Sequence, residues 1–234
     1  MGNHSIKAGV LLAAVLLGAA GSASASSLLT AADEALLVGW LGEGQVALNE
    51  IYAKSAGDTA VDFHRAVDGK GRTFSVMQAT DEQGHSWLVG GYNPQSWSST
   101  GGYNITSDQS SRTGFIFNLT SGKMHKQTPK TYALDSIGSF QTYNDLHSGP
   151  TFGIGHDLYV PDDLTHGGYS MLYSYVSPDV NEFNTSLLDG STFVQPNITF
   201  SGIQVYTIAA VPEPVGALML MGGLGLLGLA RRRS

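Results

Sequence analysis

The chain has 234 residues, of which 13% are charged and 42% apolar, with 30 glycines and 8 prolines. That composition excludes a charge-rich disordered polymer and a polytopic membrane protein, and it favours turns and short strands over a helical bundle. The absence of cysteine excludes disulfides, thiolate metal sites and a cysteine nucleophile, and the net charge of −10 over residues 26–210 (8 Lys/Arg against 18 Asp/Glu) argues against a nucleic-acid partner.

The first 25 residues read as a secretory signal. Lys7 supplies the positive start, residues 8–20 are rich in Leu, Val and Ala, and Ala23 and Ala25 frame a small-x-small cleavage site. The mature body is then expected over 26–210. Thr30 with Asp33 three residues on forms a capping-box start, and Leu36, Leu37, Trp40 and Leu41 follow at helical spacing up to a stop at Gly42. A second short helix is expected over 59–65. Asp68-Gly69 and Lys70-Gly71 make a turn. Strands at 73–78 and 85–92 then form a hairpin with Phe74, Val76, Trp87 and Val89 on one face. Further strands are expected at 114–119, within 151–160, at 170–176 and at 199–208. Hairpin-scale spacing with few intervening helices predicts an α+β, mainly β fold: a two-sheet antiparallel β-sandwich with a few flanking helices.

The end of the chain has its own pattern. Pro212-Glu213-Pro214 precedes sixteen uncharged residues, 215–230, and then Arg231, Arg232 and Arg233. As a helix, sixteen residues reach roughly 24 Å, short of a bilayer core but workable with local thinning and snorkelling arginines. This is the expected C-terminal transmembrane helix, with the arginines on the cytoplasmic side and the body outside. Gly223, Gly225 and Gly228 fit G-x-G-x-x-G. They open no βαβ unit, so close helix approach in lipid is the better reading.

The Pro-Glu-Pro motif, apolar stretch and basic end together resemble the PEP-CTERM sorting signal of Gram-negative bacteria. That resemblance implies Sec export and signal peptidase at the start, and recognition of the tail by an exosortase. It further implies transient residence in the inner membrane through 215–230, and a final place at the cell surface or in exopolysaccharide-rich biofilm matrix. The body resembles a TLDc domain. Phe63-His64 with the Asp68–Phe74 segment is similar to its "FH…DG.G.T" stretch. Gly90-Gly91-Tyr92 with Trp97 is similar to "GGY…W", and residues 115–119 to "FLFSL". Gly149, Pro150, Thr151, Phe152, Gly153, Gly155, His156 and Asp157 carry its "GPTFG.GHDL" signature. Leu188-Asp189-Gly190 with Phe193, and residues 203–206, resemble the closing portion. Two positions depart: Arg112-Thr113-Gly114 stands where an acid is usual, and Gln204 replaces another acid. The resemblance implies a β-sandwich and, in eukaryotic relatives, oxidative-stress protection and binding to the vacuolar proton pump. It implies no catalytic mechanism.

The residues themselves offer few catalytic groupings. No G-x-S-x-G and no H-E-x-x-H occurs. Sequence neighbours on a strand face opposite ways, so His156 and Asp157 are expected to organise a turn, with an enzyme or stress-protective site there as the alternative. Asp157, Asp162 and Asp163 are a weak calcium candidate without EF-hand spacing. Tyr92, Trp97 and Tyr103 are either sugar-stacking aromatics or core residues, with the core favoured for the first two. The expected function is that of an exported, non-enzymatic binding or structural protein with no cofactor.

Overall fold

The computed structural model describes residues 26–129, 136–177, 182–193 and 197–211. In chain order these form helix α1 (Ala31–Leu41), strand β1 (Val46–Ala53), helix α2 (Ala60–Val67), and strands β2 (Thr73–Thr80), β3 (Ser86–Asn93), β4 (Tyr103–Ile105), β5 (Phe115–Asn118), β6 (Lys123–Lys126), β7 (Phe140–Tyr143), β8 (Thr151–Phe152), β9 (His166–Gly168) and β10 (Ile198–Ala210). The large sheet runs β1-β10-β2-β3-β5-β6, with β9 added beside β10. A small sheet runs β4-β7-β8, and every strand pair is antiparallel. The fold is thus mainly β, with two antiparallel sheets and few helices.

α1 starts and stops as its residues dictate. Thr30 and Asp33 complete a reciprocal capping box, and Gly42 ends the helix at φ 73° in the left-handed region. α2 has a second capping box, Thr59 with Asp62, and runs two residues beyond the expected 59–65. Among the described residues no helix is long and apolar enough to cross a membrane, and the 215–230 stretch lies outside them.

Both faces of the large sheet are buried, which corrects the expected hairpin. Phe74 and Val76 pack with Tyr92, Phe115 and Phe117 beneath α1. Trp87 and Val89 face the other way, with Met77 and Ala79, toward α2 and the small sheet. The register explains the split, because Phe74 pairs with Tyr92 whereas Met77 pairs with Val89. Gly90 and Gly91 then open one hole per face. A Cβ on Gly90 would stand 2.7 Å from the Phe117 ring, and one on Gly91 would stand 2.5 Å from Phe152.

Two further expectations change. The 170–176 segment is an irregular buried loop and not a strand, because its amides serve a side chain described below. β1 escaped the sequence reading because a register shift between Glu50 and Tyr52 breaks its alternation. Val46 and Leu48 pack against one core and Tyr52 joins the other.

Candidate functional site

The 149–157 signature lies at the junction of the small sheet, the 170–176 loop and the underside of the large sheet. Gly149 is buried where a Cβ would stand 2.6 Å from Leu164 and 2.7 Å from Val160. Pro150 is buried beside it. The Thr151 hydroxyl donates to the Gly149 carbonyl at 3.1 Å. Phe152 is fully buried, its ring edge-on to Trp97 at 5.4 Å. Gly153 and Gly155 take φ of 76° and 75°, and His156 itself stands at 66°. Three left-handed residues within four positions curl the chain tightly.

The curl sends His156 and Asp157 to different surroundings. The Asp157 carboxylate is fully buried and accepts three backbone N–H bonds: from Tyr173 at 2.6 Å, Ser174 at 3.0 Å and Tyr175 at 2.8 Å. Burial pushes its pKa up to about 7, and those amides pull against the rise. Gly153 makes room for the clamp, since a Cβ there would stand 1.8 Å from Asp157 Oδ1. The Ser170 hydroxyl donates to the Asp157 carbonyl at 2.7 Å and accepts the Leu187 amide at 2.8 Å, tying in a second loop. Asp157 therefore acts as a polar nail that supplies acceptors to a loop without ladder partners.

His156 is half-buried among tyrosines. Its ring stacks on Tyr159 at 5.0 Å and 15°, lies 5.1 Å from Tyr143, and its Nδ1 is 3.0 Å from the Tyr169 hydroxyl. Burial pulls the His156 pKa down and pushes that of Tyr169 up to about 12, so neutral rings share the bond at neutral pH. Tyr159 and Tyr169 lie 5.0 Å apart, Tyr169 and Phe193 5.3 Å, and Tyr143 and Tyr103 4.9 Å. The result is a row of half-buried rings across the molecule: Tyr103, Tyr143, His156, Tyr159, Tyr169 and Phe193. Sequence reasoning found Tyr103 and His156 but not the row. Its one signal was the crowding of tyrosines into 143–175, a stretch without Lys or Arg.

Other expected positions separate. Tyr92 and Trp97 are core residues at 4% and 1% exposure, and Trp97 Nε1 donates to the Thr73 hydroxyl at 2.9 Å. Asp162 and Asp163 are exposed, beside His147 at 3.4 Å and His166 at 2.9 Å, while Asp157 is consumed inside. Asp157 is thus set apart from Asp162 and Asp163, and among the described residues no three metal-ligating side chains group together. His64, part of the "FH" pair, is buried. Its Nδ1 meets Asp68 at 2.7 Å and its Nε2 faces the carbonyls of Asp145 at 2.8 Å and Ser148 at 3.1 Å, bridging α2 to the turn before the signature.

The two departures from the acidic pattern are both structural. Arg112 is buried and donates to the Thr106 and Thr128 carbonyls at 3.2 and 2.7 Å. Gln204 accepts from the Leu28 amide at 2.6 Å and the Tyr206 hydroxyl at 2.7 Å, and donates to the Ser26 carbonyl at 3.2 Å. A carboxylate at 204 would have no proton for that last bond. Pro212, Glu213, Pro214, Arg231, Arg232, Arg233, Ala23 and Ala25 lie outside the described residues.

No curated protein matches the chain. Residues 40–208, well over half of it, match the family model described as the TLDc domain. The matched span runs from the end of α1 to near the end of β10 and takes in the 149–157 curl. The chain belongs to the TLDc domain family.

Proposed function

We propose that this TLDc protein is exported, acts without catalysis as a binding or structural component of the bacterial envelope or extracellular matrix, and has its tail processed by an exosortase. The observation that carries this reading is the ordered ending: Pro212-Glu213-Pro214, sixteen uncharged residues, then Arg231, Arg232 and Arg233, on a chain that also opens with a basic-apolar segment closed by Ala23 and Ala25.

The non-catalytic part draws its support from the 149–157 curl. The carboxylate of Asp157 is spent on three amides, while the His156 ring lies among tyrosines with its Nδ1 on the Tyr169 hydroxyl. A base–orienter pair needs the two side chains bonded to each other. Fractionation with mass spectrometry of the native protein, with and without the exosortase, tests the reading. The expected mature form starts at Ser26, sits outside the inner membrane and loses its tail only when the exosortase is present. An intact chain in the cytosol, uncut after Ala25, overturns it. His156→Ala tests the non-catalytic part: it is expected to lower thermal stability in step with any phenotype. A phenotype abolished at full stability would make the site chemical.

A further inference from the structure

The far end of the ring row opens into a shallow cleft of about 120 Å³ between the β2–β3 turn and the 186–193 loop, below the roughly 300–1,000 Å³ typical of enclosed small-molecule sites, so a ligand there lies across the surface and is not enclosed. Three aromatic side chains line it: Trp87, Tyr169 and Phe193. Two carboxylates stand with them. Asp81 is held by the His85 backbone N–H at 2.8 Å and the His85 ring at 2.9 Å. Asp189 accepts the Ser191 amide on Oδ1 at 2.9 Å, while its Oδ2 has no protein donor among the described residues. The Asn197 side chain also lines the cleft. No Lys or Arg contributes to the lining.

This set of groups narrows the choice to polar ligands without negative charge, and the line of rings running on from the cleft favours a chain of flat-faced units over a compact cation. Aromatic walls take up flat apolar C–H faces, whereas carboxylates and an amide take up rows of hydroxyls. A wholly apolar ligand would strand the two acids. Phosphorylated, sulfated or uronate ligands would meet negative charge with no cation to offset it. We infer that the Trp87–Asp189 cleft binds an uncharged pyranose chain, with sugar rings against Trp87, Tyr169 and Phe193 and vicinal hydroxyls on Asp81, Asp189 and Asn197. The ring row leading away past Tyr159 and His156 toward Tyr103 supplies a track for further sugar units. The inference rests on reading the protein as a binding protein, and it requires neither export nor tail processing.

Isothermal titration of the purified full-length chain tests it, with cellopentaose and N-acetylglucosamine pentamer as neutral probes, alginate pentamer as the anionic probe and a lysine-containing pentapeptide as the cationic one. The expected result is saturable binding of at least one neutral pentamer, weakened about tenfold by Trp87→Ala and by Asp189→Ala, with alginate not bound. Because Trp87 also touches the core, its variant is read only if its melting curve is cooperative; Asp189 is exposed, so its variant keeps the test decisive. Heat from neither neutral pentamer, equal binding of alginate, binding of the peptide alone, or unchanged affinity in Asp189→Ala would each overturn the cleft assignment. None of these outcomes touches the mass-spectrometric test of export.

Discussion

The two faces of the large sheet are closed by different means. On one, α1 covers Phe74, Val76, Tyr92, Phe115 and Phe117 with Leu37 and Trp40, and the contact is almost wholly apolar. On the other, Met77, Val89 and Ile116 meet α2, the small sheet and irregular loops, with buried polar groups threaded among the apolar ones: His64, Gln141, Asp157 and Ser174. A helix satisfies its own backbone and needs only grease to dock. A loop does not, so the second face must supply acceptors to loop amides, and the long signature motif is where it does so. Substitutions that remove grease and substitutions that remove acceptors should therefore behave differently.

The largest effect is expected at the polar nail. Asp157→Ala strands the amides of Tyr173, Ser174 and Tyr175 and leaves a void beside Gly153. At roughly 1–3 kcal/mol per stranded buried group, a loss of about 4 kcal/mol is expected. Urea unfolding measures it, and a loss below about 1 kcal/mol would show that the loop finds other partners. On the apolar face, Leu37→Ala removes a fully buried side chain from α1, with an expected loss of about 3 kcal/mol and no change in the environment of the tyrosine row. Near-ultraviolet circular dichroism checks the second half of that statement. A changed tyrosine signal would mean that the two faces are coupled through the sheet.

The same contrast decides what the sequence could reveal. α1 was legible to its caps, because Thr30, Asp33 and Gly42 act locally. The β2–β3 hairpin was legible in its strands but not in its faces. With both faces buried, Phe74, Val76, Trp87 and Val89 show no polar partner face that would fix the register. The 170–176 loop misled, because Leu172, Tyr173, Tyr175 and Val176 carry strand-like composition while the amides of Tyr173, Ser174 and Tyr175 answer to a carboxylate sixteen or more residues upstream. The tight backbone at 153–156 was legible from its glycines, whereas the clamp of Asp157 on the 173–175 amides was not. The ring row and the Trp87 cleft were not, because they gather residues from β3, β4, β7, β10 and several loops that only the tertiary fold brings together.

A smaller step is expected at the end of α1. Gly42→Ala has open space around the new Cβ but must hold φ 73°, so it isolates the backbone cost, about 1 kcal/mol. Gly153→Ala adds the collision with Asp157 to a similar φ, and the difference between the two variants measures the packing of the nail itself. Equal losses would mean that the carboxylate moves aside freely.

The subtlest distinction between the faces is a slope in pH. With a folded-state pKa near 7 against an ordinary value of about 3.9, Asp157 contributes stability that is complete below about pH 4 and is lost as pH rises through 7. His125 and His156 work the other way. Burial lowers both, so the unfolded chain takes up their protons first, and stability falls as pH drops below about 6.5. Asp62, Asp81 and Asp163 are held below the usual carboxylate range, so their contributions are lost only under about pH 4. Between pH 5 and 7 the wild-type curve is thus a contest between one acid and two histidines. Asp157→Asn removes the acid and leaves the histidines. Its stability, followed by urea midpoint, should fall more steeply on acidification from pH 7 to 5 than that of the wild type. Parallel curves would show that the three amides hold Asp157 ionised throughout this range, making the polar face a charged clamp in place of a protonated one.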